Sequence, residues 1–61
     1  MNVYLEAQIG SDWERRAAFD WGTDAMEAAR ALSLETDWLW RVVDMRKGEP
    51  TILIYEKGVA R

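Results

Sequence analysis

The sequence predicts an α+β domain: one helix packed on one face of a small antiparallel sheet, in the order strand, strand, helix, strand, strand (β-β-α-β-β). Three observations predict it. Val3 to Ile9 alternates apolar and polar residues. Ala25, Ala28, Ala29 and Leu32 recur at helical spacing. Trp38 to Asp44, Trp-Leu-Trp-Arg-Val-Val-Asp, is an apolar run of strand length. A period of two marks a half-buried strand and a period of 3.6 an amphipathic helix. Consecutive strands with a single helix give a layered α+β arrangement.

In the first strand Val3, Leu5, Ala7 and Ile9 oppose Tyr4, Glu6 and Gln8, and Gly10-Ser11-Asp12 is a turn cluster. Trp13 to Trp21 reads two ways. As a strand it sends Trp13, Ala17, Phe19 and Trp21 to one face, with Arg15 interrupting, and Glu14, Arg16, Ala18 and Asp20 to the other. As a helix it has Ser11 and Glu14 spaced as a capping box, with Trp13, Ala17 and Trp21 at i, i+4 and i+8. The short preceding turn favours a hairpin, hence the strand. The helical reading gives strand, helix, helix, strand, strand (β-α-α-β-β) and stays open.

Thr23 to Glu35 reads as the helix. Gly22 breaks the preceding element, Thr23 is a suitable N-cap, and Asp24 and Glu27 sit where the helix dipole favours negative charge. The apolar stripe is mostly alanine, so the helix can lie close to a sheet and leave room for tryptophan. Trp38 to Asp44 is the expected central strand, with Trp38, Trp40, Val42 and Asp44 toward the core and Leu39, Arg41, Val43 and Met45 on the other face. Met45 to Pro50 is a turn. Thr51 to Glu56 is the last strand, with Ile52 and Ile54 on one face and Leu53 and Tyr55 on the other, and Lys57 to Arg61 is expected to fray.

Sixty-one residues make one domain, 1–61, with no cysteine or histidine. A chain of this size buries only about 60% of its unfolded surface, so it depends on dense aromatic packing or self-association. Four Trp, two Tyr and one Phe supply the packing. No apolar run approaches the ~20 residues that cross a bilayer. The Met-Asn-Val-Tyr-Leu-Glu start lacks the basic and apolar parts of a signal peptide. Beginning with Met, the chain reads as a complete short reading frame, and a cytoplasmic location is expected.

Chemistry has few bearers. Without Cys and His, the commonest nucleophiles, bases and soft metal ligands are missing. Asp20, Asp24 and Glu27 cluster in sequence and are of the type that holds a hard cation, but acids at a helix start are ordinary. Ser11 and Thr51 have no base beside them, and the glycines form no phosphate loop. No enzyme activity, cofactor or metal is expected. Tyr4, Tyr55 and a tryptophan on a sheet are able to stack bases, yet the net charge of −3 opposes binding to phosphates, so nucleic acid is not the expected partner.

Protein binding fits best. Interface cores are enriched in Trp, Tyr, Met and Arg, and the expected outer face of the sheet offers Tyr4, Arg16, Leu39, Arg41, Val43, Met45, Leu53 and Tyr55. The plainer account is a solvated face with scattered apolar residues, which is common. A second surface consists of the acids expected to be exposed, Glu6, Glu14, Asp20, Asp24, Glu27, Glu35 and Asp37, which suit a basic partner surface. A homo-oligomeric structural protein without further activity, such as a homodimer through paired sheet faces, and a small single-stranded nucleic-acid binder are the alternatives.

Phe19-Asp20, Thr23, Ala25-Met26-Glu27-Ala28-Ala29-Arg30-Ala31-Leu32 and Trp40-Arg41-Val42-Val43-Asp44 together resemble small bacterial and phage proteins. In those, a strand ending in Phe leads into an Ala-rich helix and a strand ending in Arg-Val-Val-Asp follows. The resemblance covers about half the chain and implies an α+β fold with no activity. In size and charge the chain is also similar to phage-encoded inhibitors of host defence, anti-CRISPR proteins included. That similarity implies docking on a larger host protein and assigns no residue.

Overall fold

In a computed structural model, which describes residues 2–61, the elements are β1 (Val3–Ile9), β2 (Asp12–Phe19), α1 (Gly22–Glu35), β3 (Trp40–Asp44), β4 (Thr51–Glu56) and β5 (Val59–Ala60). The strands form one antiparallel sheet in the order β2-β1-β3-β4-β5, with β3 in the middle and α1 on one face. The fold is the expected α+β class, with one more strand than the sequence predicts.

The Trp13–Trp21 ambiguity resolves as a strand, and its pattern is explained by a β-bulge. Leu5 pairs with Ala17, but the next residue, Glu6, pairs with Arg15, so Arg16 has no opposite number. Directly opposed residues share a face. Ala17 and Phe19, opposite Leu5 and Val3, therefore face the helix. Past the bulge, Arg15 and Trp13, opposite Glu6 and Gln8, face the other side. Arg15 interrupts the alternation because the register shifts one residue away from it. Trp13 turns out of the core for the same reason, and Trp21 lies beyond the strand.

The hairpin turn is Gly10-Ser11, with φ of 67° at Gly10, the sign that II′-type hairpin turns need at their first central residue. Helix α1 begins one residue earlier than expected. Its N-cap position falls on Trp21, which makes no side-chain cap, so Thr23 lies inside the first turn. The link from β2 is only Asp20-Trp21, which returns the chain to the sheet at once.

The core lies between α1 and the sheet: Val3, Leu5 and Ala7 from β1, Ala25 and Ala29 from α1, Trp40 and Val42 from β3, and Tyr55 from β4, with Phe19, Leu32 and Leu53 packed against them. The alanines let the helix approach, and Trp40 fills the space. Its indole Nε1 donates to Thr36 Oγ1 at 2.8 Å, and the Thr36 hydroxyl donates to Leu32 O at 2.8 Å. This clamp also bends the chain at Thr36 to Trp38, so β3 starts at Trp40 rather than Trp38. Trp38 is exposed, its ring tilted 41° against Trp40 at 6.1 Å.

Two further expectations are corrected. Leu53 and Tyr55 face the helix, and Ile52 and Ile54 take the outer face. The Met45–Pro50 turn sets Asp44 opposite Thr51, which puts Leu53 beside Val42 and Tyr55 beside Trp40. Lys57 to Arg61 forms a hairpin rather than a tail. Lys57 and Gly58 both take positive φ, 50° and 81°, as a two-residue I′ turn requires. Arg61 N then donates to Ile54 O at 2.7 Å. The turn is held to the helix by Gly58 N donating to Ser33 Oγ at 2.8 Å.

Candidate functional site: the uncovered sheet face

The face of the sheet away from α1 is covered by no described element. Strand register arranges it in three rows. Ala18, Tyr4, Val43 and Ile52 form one, Arg15, Glu6, Arg41 and Ile54 the next, and Trp13, Gln8, Leu39, Glu56 and Val59 the third. Val43 is sunk to 7% exposure between its neighbours, while Ile52 stands 48% exposed at the side.

The middle row holds a densely charged cluster. The Glu6 side chain is 8% exposed and lies between two arginines from the flanking strands. Arg15 Nε donates to Oε2 at 3.1 Å, and Arg15 Nη2 makes an ion-pair contact with the same oxygen at 3.1 Å. Arg41 Nε donates to Oε1 at 2.8 Å, and Arg41 Nη2 makes an ion-pair contact with the same oxygen at 2.7 Å. Both carboxylate oxygens are thus satisfied, as a buried charge demands. Each guanidinium also lies over an aromatic ring, Arg15 on Tyr4 at 3.7 Å and Arg41 on Trp13 at 4.3 Å. Contacts of this kind attract a guanidinium to the ring face.

Of the eight residues expected on this face, Tyr4, Leu39, Arg41 and Val43 come together on it, with Met45 at its end. Arg16, Leu53 and Tyr55 do not. Arg16 is the bulge residue and pairs with Glu14 at 3.4 Å on the sheet edge, and the other two point to the core side. Trp13, Arg15, Ile52 and Ile54 occupy the face instead. Only the pairing partners identify them; their local sequence carries no signal of which face they take.

Among the expected surface acids, Glu14, Asp20, Asp24, Glu27, Glu35 and Asp37 are exposed. Glu6 is the exception: it is buried in its ion-pair cluster. Among the described residues no three Asp or Glu side chains gather as a metal site would require, Asp20, Asp24 and Glu27 included.

A cleft of about 220 Å³ opens on the helix side between the start of α1 and the adjoining ends of β3 and β4. Gly22, Thr23, Met26, Val42, Asp44, Arg46, Thr51 and Leu53 line it. Its polar element is Asp44, whose two oxygens take Arg46 Nε at 3.0 and 3.1 Å and the Arg46 backbone N–H at 3.0 Å. The Arg46 side-chain bonds, then its backbone bond, lower the Asp44 carboxyl from the ordinary 3.8 to about 2. An acid held ionised and paired in this way acts as a loop clamp: it fixes the start of the β3–β4 turn.

No protein-family model matches the chain, and no curated protein or solved structure is significantly similar to it. Among the described residues no helix is long and apolar enough to cross a membrane.

Proposed function

We propose that this chain is a non-enzymatic protein-binding module that docks on a larger protein through the uncovered sheet face. One observation carries the reading. In a chain of net charge −3, this face gathers two aromatic rings, the two arginines that lie over them and the aliphatic Leu39, Val43, Ile52 and Ile54, and no described strand or helix covers it. Tyr, Trp and Arg are the side chains that enrich interface cores. Occluding a working surface of the partner, as a phage-encoded inhibitor does in a host cytoplasm, is the mode of action that suits a domain of this size.

Two alternatives are weighed by the same face. A homodimer would bury the uncharged row of Ala18, Tyr4, Val43 and Ile52. Single-stranded nucleic acid would need Tyr4 and Trp13 free for stacking, whereas Arg15 and Arg41 lie over them.

The test is capture from lysate by tagged wild-type chain and by Ile52→Glu, with circular dichroism to verify the fold and light scattering to give the oligomeric state. The reading expects a larger protein held near stoichiometry by wild type and lost by Ile52→Glu. Equal capture by both chains contradicts it, and so does a dimer that Ile52→Glu converts to monomer with no other protein held.

A further inference from the structure

The charge on the docking face is not balanced. Glu6 alone serves both Arg15 and Arg41, so the cluster carries one positive charge more than negative. At the far side of the face Glu56 and Arg61 neutralise each other at 3.7 Å. The excess is therefore local to the middle row. It is also accessible: the Arg15 side chain is 54% exposed, against 23% for Arg41 and 8% for Glu6. Glu6 takes the Nε–Nη2 edge of each guanidinium, which leaves the Nη1 amino groups for a ligand. Tyr4 and Trp13 already contact the two guanidiniums, and donors placed in advance lose less entropy on binding.

We infer that the partner of this face is a protein surface presenting one carboxylate, from Asp or Glu, within an apolar patch. This rests on the docking reading above and names the chemistry of its occupant. The carboxylate sits against Arg15 and Arg41 and brings the cluster to neutrality, while aliphatic and aromatic side chains around it cover Val43, Ile52 and Ile54. A cluster left at +1 under an apolar cover would be costly. A partner acid removes that cost and gives the complex its specificity. The assignment reverses the polarity suggested by the chain's net charge: the acidic molecule binds through a locally cationic face.

A random peptide library displayed on phage and panned on the immobilised chain is the probe. Selected peptides are expected to carry an Asp or Glu flanked by aliphatic or aromatic residues. They should bind Arg15→Gln about 10- to 100-fold more weakly, the worth of a charge-assisted hydrogen bond, and Arg15→Lys should recover part of the loss. Arg15 is the variant of choice because its removal leaves Glu6 paired with Arg41. Peptides that lack acids and bind wild type and Arg15→Gln alike, yet fail on Ile52→Glu, overturn this inference and leave the docking face standing. Peptides indifferent to Ile52→Glu as well overturn the docking reading itself. A single-stranded oligonucleotide that binds wild type at low salt and loses its grip on Arg15→Gln gives the cluster to phosphate and also overturns the inference.

Discussion

Thr36 does more for this fold than its place after a helix suggests. Its hydroxyl accepts from the Trp40 indole and donates to Leu32 O, so one side chain closes the helix and satisfies the polar atom of the largest core residue. Thr36→Val keeps the shape and leaves the indole N–H unpaired in a buried site. The expected cost is about 1–3 kcal/mol, read by urea denaturation. Glu6→Gln takes away the counter-charge of two adjacent guanidiniums. Breaking a buried pair costs about 3–5 kcal/mol; with Arg15 half in water, about 2–3 kcal/mol is expected here, with secondary structure retained by circular dichroism. Asp44 works through pH. Its folded pKa lies below the ordinary value, so the unfolded chain binds the proton first. Its contribution is complete above about pH 4 and is lost as pH falls through about 2. The stability difference between wild type and Asp44→Asn should therefore shrink over that window; a constant difference from pH 6 to pH 2 would contradict the clamp.

At the scale of elements, β1, the helix stripe and the strand character of β3 were legible in the sequence because each depends on its own residue pattern. What was not legible depends on pairing. The bulge at Arg16 appears only when β2 is laid against β1, and it decides where Trp13 and Arg15 point. The inward turn of Leu53 and Tyr55 follows from a register set by the Met45–Pro50 turn. Glu6 reads as a surface acid on an alternating strand; its burial comes from Arg15 and Arg41, which two different strands bring to it. The bulge and the charges of Glu14 and Arg16 also blunt the exposed edge of β2 against unwanted pairing. The β4–β5 hairpin depends on Gly58, whose positive φ is joined by a close approach: a Cβ there would lie 2.6 Å from Leu34 Cδ2. Gly58→Ala should cost about 1–3 kcal/mol and speed amide exchange at Arg61, whose N–H closes the hairpin. An unchanged exchange rate would show that the turn does not hold β5.

For the whole molecule, the sheet divides two kinds of surface. The helix side is covered by α1, which packs through Ala25 and Ala29 and carries Asp24, Glu27 and Glu35 outward. The other side holds the Arg15–Glu6–Arg41 cluster in an apolar surround. The docking account assigns partner binding to the second surface, and a mimic of negative charge would assign it to the first. The most direct measurement is calorimetry of the captured partner against wild type, Ile52→Glu, and a chain with Asp24→Lys and Glu27→Lys together. The account predicts that Ile52→Glu loses about 100-fold or more in affinity, as the placing of a charge against an apolar partner surface does, while the double charge reversal changes it by less than about threefold, as an exposed charge outside the interface does. Binding that survives Ile52→Glu and collapses on reversal of the helix acids would contradict the account and give the partner to the acidic surface.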